Sequence, residues 1–170
     1  LVSFLVGAFR GKAWSYMNGI SDLSSEQNIM VVAFPAVRQS EGGPAGYLSP
    51  FAAAGVNMDM ICQGLPQGDE AALSFTTSYD NWSIVMRTLP QVTAGKSGPE
   101  PLICRGYTKL TLFGQEMPNL CGVASRVMEV MAAAKVPIHL ITTSSVDISL
   151  LVASEDEDTA LGALREAFGL

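Results

Sequence analysis

Four neutral hydroxyls stand in a row at Thr142, Thr143, Ser144 and Ser145, between the apolar residues Ile138 and Leu140 on one side and Ile148, Leu150 and Val152 on the other. Hydroxyls donate and accept hydrogen bonds without carrying charge, so such a knot suits a polar hairpin tip or the recognition of a small polar ligand. A nucleophile at Thr143 or Ser144 would need a base. The sole histidine, His139, is the only candidate, and no Gly-x-Ser-x-Gly elbow supports it. With no second histidine and no cysteine in register, His139 does not read as a metal ligand either. "GGPAG" (42–46) lacks the spacing of a dinucleotide fingerprint, but a glycine turn at a helix start can offer outward N–H groups to an anion. "AGKS" (94–97) ends like a phosphate-binding loop, yet Pro90 stands where that pattern needs glycine, and Gly98 and Pro99 stop the helix that should follow. "EDED" (155–158) is most simply the solvated first turn of a helix. The chemistry left is that of binding a small polar ligand, with no cofactor or metal expected. Catalysis at a crevice that binds such a ligand, the enzyme-class alternative, would fall to His139 or Asp147.

Composition narrows the class. The 170 residues are 48% hydrophobic and 15% charged, which describes a core-forming chain long enough for one ordinary domain or two small ones. A formal net charge of −6 without any basic run argues against nucleic acid as a partner. Three cysteines, Cys62, Cys104 and Cys121, form no Cys-x-x-Cys and leave an odd count, so they read as reduced thiols of a cytoplasmic protein. The apolar start "LVSFLVGAF" is far short of the roughly 20 residues a membrane span needs, and Arg10 and Lys12 follow it where a secretory signal would place them ahead. It reads as a packing segment or a remnant, and the missing initiator Met points to a piece of something longer.

These residues are positioned by an internal repeat. "NIMVVAF" (28–34) and "KLTLFGQ" (109–115) read as buried strands, followed by loop glycines at Gly42 and Gly122. Helix-like stretches follow, "GYLSPFAAAG" and "VASRVMEVMAAAK", and then second strands, "VNMDMICQ" (56–63) and "VPIHLITT" (136–143). All recur at a constant offset. Third strands, "AALSFTT" (71–77) and "VDISLLV" (146–152), come five residues sooner in the second copy, so the first carries a longer turn around "GLPQGD" (64–69). Each copy closes with a helix, "YDNWSIVMRTLPQV" or "DEDTALGALREAFGL". In the latter, Ala160, Leu161, Leu164 and Phe168 share one face. "YMNGIS" (16–21) and "PLICRGY" (101–107) supply one more strand per copy, and "TAGKSGPEP" (93–101) is the Pro/Gly-rich link. The expected architecture is an α+β sandwich in duplicate: two antiparallel sheets, each covered on one face by two helices, with strand edges paired side by side.

The second copy resembles the second ACT domain of aspartokinases. The match rests on the strand Lys109–Gly114, the loop "LCGV" (120–123), the strand pair "VPIHLITTSSVDIS" (136–149) and the helix "ALGALREAF" (160–168). The first copy is similar in order, through "GISDLSSEQNIMVV" (19–32) and "AGVNMDMICQG" (54–64). The resemblance implies tandem ferredoxin-like βαββαβ units: residues 1–15 as an extension, 16–92 as the first ACT domain, 93–100 as the linker and 101–170 as the second. It also implies a non-catalytic regulatory chain, because the kinase signature Lys-Phe-Gly-Gly-Thr-Ser is absent. Such a chain senses an amino acid of the aspartate family, threonine or lysine, and works as a homodimer or with a kinase α subunit. A divergent ACT protein that regulates or scaffolds another enzyme is the alternative.

Effector contacts carried over from the resemblance are Gln39, Gly42 and Gly43 in the first loop, with Asp59 and Gln63 on the following strand. In the second copy they are Asn119, Gly122, Thr142, Thr143 and Ser144. Gln39-Ser40-Glu41-Gly42 replaces the family's Asp-x-Pro-Gly, and Leu120-Cys121-Gly122 its His-Pro-Gly. Pro50, inside the expected first helix, should kink it or delay its start.

Overall fold

The computed structural model describes residues 19–170. Its elements run β1 (Asp22–Arg38), α1 (Gly43–Ala53), β2 (Ile61–Gln63), β3 (Glu70–Ser78), α2 (Trp82–Thr93), β4 (Leu102–Phe113), α3 (Val123–Ala133), β5 (Leu140–Thr143), β6 (Asp147–Ala153) and α4 (Glu157–Phe168). The repeat is visible in these bounds: α1 and α3 lie 80 residues apart with equal length, and α2 and α4 lie 75 apart with equal length. A 3-10 turn precedes each helix, and those before α2 and α4, Tyr79–Asn81 and Ser154–Asp156, keep the same offset. All six strands form one antiparallel sheet in the order β2-β3-β1-β4-β6-β5.

The halves are joined through their middle strands. β1 is 17 residues long and β4 is 12, longer than one half requires. Glu26 and Lys109 end one ladder, which begins at Asp22 and Phe113; the second runs from Met30 opposite Arg105 to Ala33 opposite Leu102. Between the ladders the register slips, and Asn28 (φ 64°) and Gly106 (φ 85°) take left-handed conformations there. The start of β4 thus supplies the fourth strand of the first half, and the start of β1 that of the second. The extra strand expected at 16–21 differs. Residues 16–18 lie outside the described residues, and pairing begins at Asp22, one bond from Ser21 N to Phe113 O (2.7 Å) leading in.

Each half buries its own core between sheet and helices. Met30, Val32, Phe34, Leu73 and Phe75 pack on Tyr47, Phe51, Val85 and Val92 in the first half. Leu110, Leu112, Ile148 and Leu150 pack on Val127, Met131, Leu164 and Phe168 in the second. On the opposite sheet face Ile29, Val31, Met60 and Leu151 form a smaller cluster. The sheet curls far enough around that cluster for its edge strands to meet, with Cys62 Sγ 3.7 Å from the Ile141 carbonyl oxygen.

Two expectations change. The strand foreseen over 56–63 shortens to Ile61–Gln63, because Thr76 breaks the regular ladder: Met60 N donates to its side-chain Oγ1 (3.0 Å), while Thr76 N donates to Met60 O (2.9 Å). The matching strand of the second half likewise begins only at Leu140. Pro50 neither delays nor stops α1, which starts at Gly43 and runs through it.

Candidate functional site

In each half the chain leaves a central strand, makes a 3-10 turn and reverses into a helix at a glycine. Gly42 has φ 94° and ψ 3°, and Gly122 has φ 90° and ψ 1°. These two glycines share one backbone conformation, which glycine adopts freely and other residues adopt at a cost. Around the first, Gln39 folds over the helix start: a Cβ on Gly43 would lie 2.7 Å from Gln39 Oε1. Gln39, Gly42 and Gly43 are therefore brought together. The longer turn of the first half closes against them, Gln39 N donating to Asp69 O (3.0 Å) and Ser40 N to Asp69 Oδ1 (3.2 Å), with the Ser40 hydroxyl also on that carboxylate.

The other flank is closed by the link between the halves. Glu41 accepts from Ser97 N (3.2 Å), Ser97 Oγ (3.1 Å), Tyr47 Oη (3.2 Å) and Arg38 Nη1 (3.4 Å). The Ser97 N–H leads in holding this carboxyl below its ordinary value, against the opposing effect of burial. Lys96 donates from Nζ to Gly46 O at 2.7 Å and sits 3.6 Å from the Tyr47 ring centroid. Gly46 is four residues before Pro50, whose nitrogen has no hydrogen to give that carbonyl. The lysine ammonium supplies the donor the proline lacks, and α1 continues. Phe34, Ala36, Tyr47, Lys96 and Pro99 line a cleft of about 120 Å³ between this loop and the link.

Asp59 and Gln63 lie elsewhere. Asp59 binds the Lys109 ammonium, which also holds Glu26 at 2.9 Å, so this carboxylate ties the halves together on the opposite sheet face. Burial lowers the Lys109 pKa, but the bonds to Asp59 and Glu26 outweigh it and raise the net value. Gln63 sits on edge strand β2 opposite Leu73, two strands from β1.

In the second half, Gly114 N donates to Val146 O (2.8 Å), which sets the hydroxyl turn beside the start of the loop. Ser144 is satisfied within that turn: its Oγ accepts from Val146 N (3.2 Å) and Asp147 N (3.1 Å) and donates to Asp147 Oδ2. Thr142 and Thr143 lie on β5 opposite Ser149 and Ile148, with Thr143 exposed. Asn119 ends the 3-10 turn, donating to Glu116 Oε2 (3.3 Å), and Gly122 caps α3. The segment before β1 crosses this loop closely, and a Cβ on Gly114 would fall 1.5 Å from Gly19 O. His139, exposed before β5, packs edge-on to Tyr107 at 4.9 Å, while Asp147 is engaged by Ser144.

Asp69, Glu41, Lys96 and Ser97 shape the first loop without having been singled out for it. Two signals could have found them: Asp69 ends the five-residue-longer turn, and Lys96-Ser97 belongs to the stretch set aside as a failed phosphate loop. Among the described residues, no cluster of His, Cys, Asp and Glu could hold a metal ion, and no helix is long and apolar enough to cross a membrane.

Comparison with known proteins gives a consistent picture. Residues 110–168 match the family model of the ACT domain. The aspartokinase of Mycolicibacterium smegmatis is 31% identical over 156 residues, 91% of this chain and 36% of that protein. The aspartokinase of Pseudomonas aeruginosa is 26% identical over 151 residues, covering 89% and 37%. This chain therefore spans just over a third of the length of the curated relatives it matches. Among solved structures, the ligand-free regulatory subunit of aspartate kinase from Thermus thermophilus superposes with a TM-score of 0.80 at 23% identity, covering 88% of this chain and 99% of that one. A structure of aspartokinase alpha and beta subunits gives 0.77 at 21% identity, covering 89% and 99%.

Proposed function

We propose, from the premise that this chain is a regulatory ACT chain of the aspartokinase type, that it binds a free amino acid of the aspartate family and passes that occupancy to a kinase. Threonine and lysine are the first candidates. The observation that carries this reading is the repeated loop: strand, 3-10 turn, left-handed glycine and helix, with matching angles at Gly42 and Gly122. Helix starts of this kind present N–H groups to a carboxylate. The acidic side chains gathered at the first loop, Glu41 and Asp69, suit an ammonium group nearby. The two ACT units are assigned to residues 16–92 and 101–170, with 93–100 between them, and Asn119, Thr142, Thr143 and Ser144 flank the second loop.

A ligand of about eight heavy atoms gains at most roughly 1.5 kcal/mol per atom, so useful affinity requires near-complete enclosure. The partner surface is assigned to a second copy of this chain or to a kinase α subunit. A coupling of about 1–3 kcal/mol between effector and kinase would suffice for feedback.

Calorimetric titration with threonine, lysine, methionine and aspartate tests the reading. Saturable binding of one of them, weakened in Gln39→Ala or Thr143→Ala, is the expected result. Heats no greater than dilution for all four would remove the effector role and leave an ACT chain that regulates through protein contacts.

A further inference from the structure

A feature that neither loop explains lies away from both, at the centre of the sheet. A crevice of about 640 Å³ opens where β1 and β4 change register, lined by Gln27, Asn28, Tyr79, Arg105, Ser154 and Glu157. Its size falls within the range of small-molecule sites. Tyr79 and Ser154 open the 3-10 turns that lead into α2 and α4, so both helices begin beside it.

Two opposite charges line this crevice with bonding capacity to spare. Glu157 is only 8% exposed. Its Oε2 accepts from Gln27 Nε2 (2.8 Å) and Thr108 Oγ1 (3.2 Å), whereas Oε1 has no hydrogen bond among the described residues. Arg105 donates through Nη1 to Tyr79 Oη (3.1 Å) and lies 5.8 Å from that ring, with no carboxylate partner among the described residues. No buried polar side-chain atom lacks a partner among the described residues, so the unbonded Oε1 is open to the crevice and free to accept an N–H, while a guanidinium bonded to one phenol has further N–H groups to give.

We propose that this crevice is a second amino-acid site, taking the ligand's ammonium at Glu157 and its carboxylate at Arg105. The inference rests on the amino-acid-binding reading above but assigns the ligand to different residues. No side chain named for the two loops takes part in it.

The test is a calorimetric titration of the full chain with the standard proteinogenic amino acids, repeated in Arg105→Gln, Glu157→Gln and the loop variant Gln39→Ala. Emission of Trp82, whose ring is 5.5 Å from that of Tyr79, gives a second readout in a Trp14→Phe background. The expected result is at least one ligand whose affinity falls about tenfold or more in both crevice variants and is unchanged in Gln39→Ala, with binding sensed by Trp82. Arg105 is exposed, so its variant probes the crevice without disturbing a core, and circular dichroism checks that Glu157→Gln folds. Binding lost only in Gln39→Ala would overturn this inference and leave the loop site standing. Binding lost only in the crevice variants would move the sensor from loop to crevice. Binding of none overturns both.

Discussion

Lys96 shows how one side chain can repair a helix that its sequence breaks. Proline inside α1 removes the donor for Gly46 O, and the ammonium of Lys96 restores one at 2.7 Å. Burial lowers the lysine pKa, with Glu41 working against it, so the group stays a donor in a position that partly desolvates it. The two residues should therefore be coupled. Lys96→Met should cost about 1 kcal/mol in the native background, since a carbonyl loses its partner. In Pro50→Ala the new alanine N–H can take that carbonyl, and the same lysine substitution should cost much less. Urea unfolding of the four proteins in this cycle measures the difference, and equal costs in both backgrounds would refute the repair. Nothing in the one-dimensional pattern revealed this pairing, because its partners are 50 residues apart and the lysine sits in a stretch that mimics another motif.

Elements divide into those whose side chains announce them and those that only topology explains. The helices and buried strands were legible, since Ala160, Leu161, Leu164 and Phe168 recur on one face of α4 and Met30, Val32 and Phe34 alternate into a core. The extension of β1 over Asp22–Gln27 was not, because nearly all its side chains are exposed and hydrophobic patterning leaves no trace. The loop glycines Gly42 and Gly122 were legible as positions, though not by reason, whereas Gly106 and Gly114 were read only as parts of strands. Gly42 and Gly122 serve dihedral angles, Gly106 serves a bulge, and Gly114 makes room for another backbone. These reasons predict different costs. A Cβ on Gly106 would meet nothing within 4 Å, so Gly106→Ala pays only for φ 85°, about 1 kcal/mol. A Cβ on Gly114 would collide with Gly19 O, so Gly114→Ala must displace the segment ahead of β1. Amide hydrogen exchange should show that segment, including the Ser21 N–H bonded to Phe113 O, losing protection in Gly114→Ala and keeping it in Gly106→Ala.

At the scale of the molecule, duplication was readable but interlocking was not. A repeat read from sequence suggests two units set side by side, each folding on its own core. The ladders show instead that each half is completed by a strand continuous with the other half's central strand. Lys109 adds a cross-tie by binding Asp59 and Glu26 together. Neither half can lose its sheet without removing a strand from its partner, so the chain should unfold as one cooperative unit. A truncation placed in the core of one half must then be felt in the other. Leu150 is fully buried in the second half, and Leu150→Ala should cost about 2–5 kcal/mol. Trp82, at the start of α2, reports on the first half once Trp14 is replaced by Phe. Its fluorescence midpoint in urea should move down with Leu150→Ala by the same amount as the far-ultraviolet circular dichroism midpoint. A Trp82 transition that stays in place while the dichroism splits in two would mean that the halves are independent. The long central strands would then be a contact between neighbours and not a shared framework. If the midpoints move together, any ligand that stabilises the crevice where the strands exchange would stabilise both halves at once. That is the coupling the proposed regulatory role would need, since occupancy at one place would have to be felt at another.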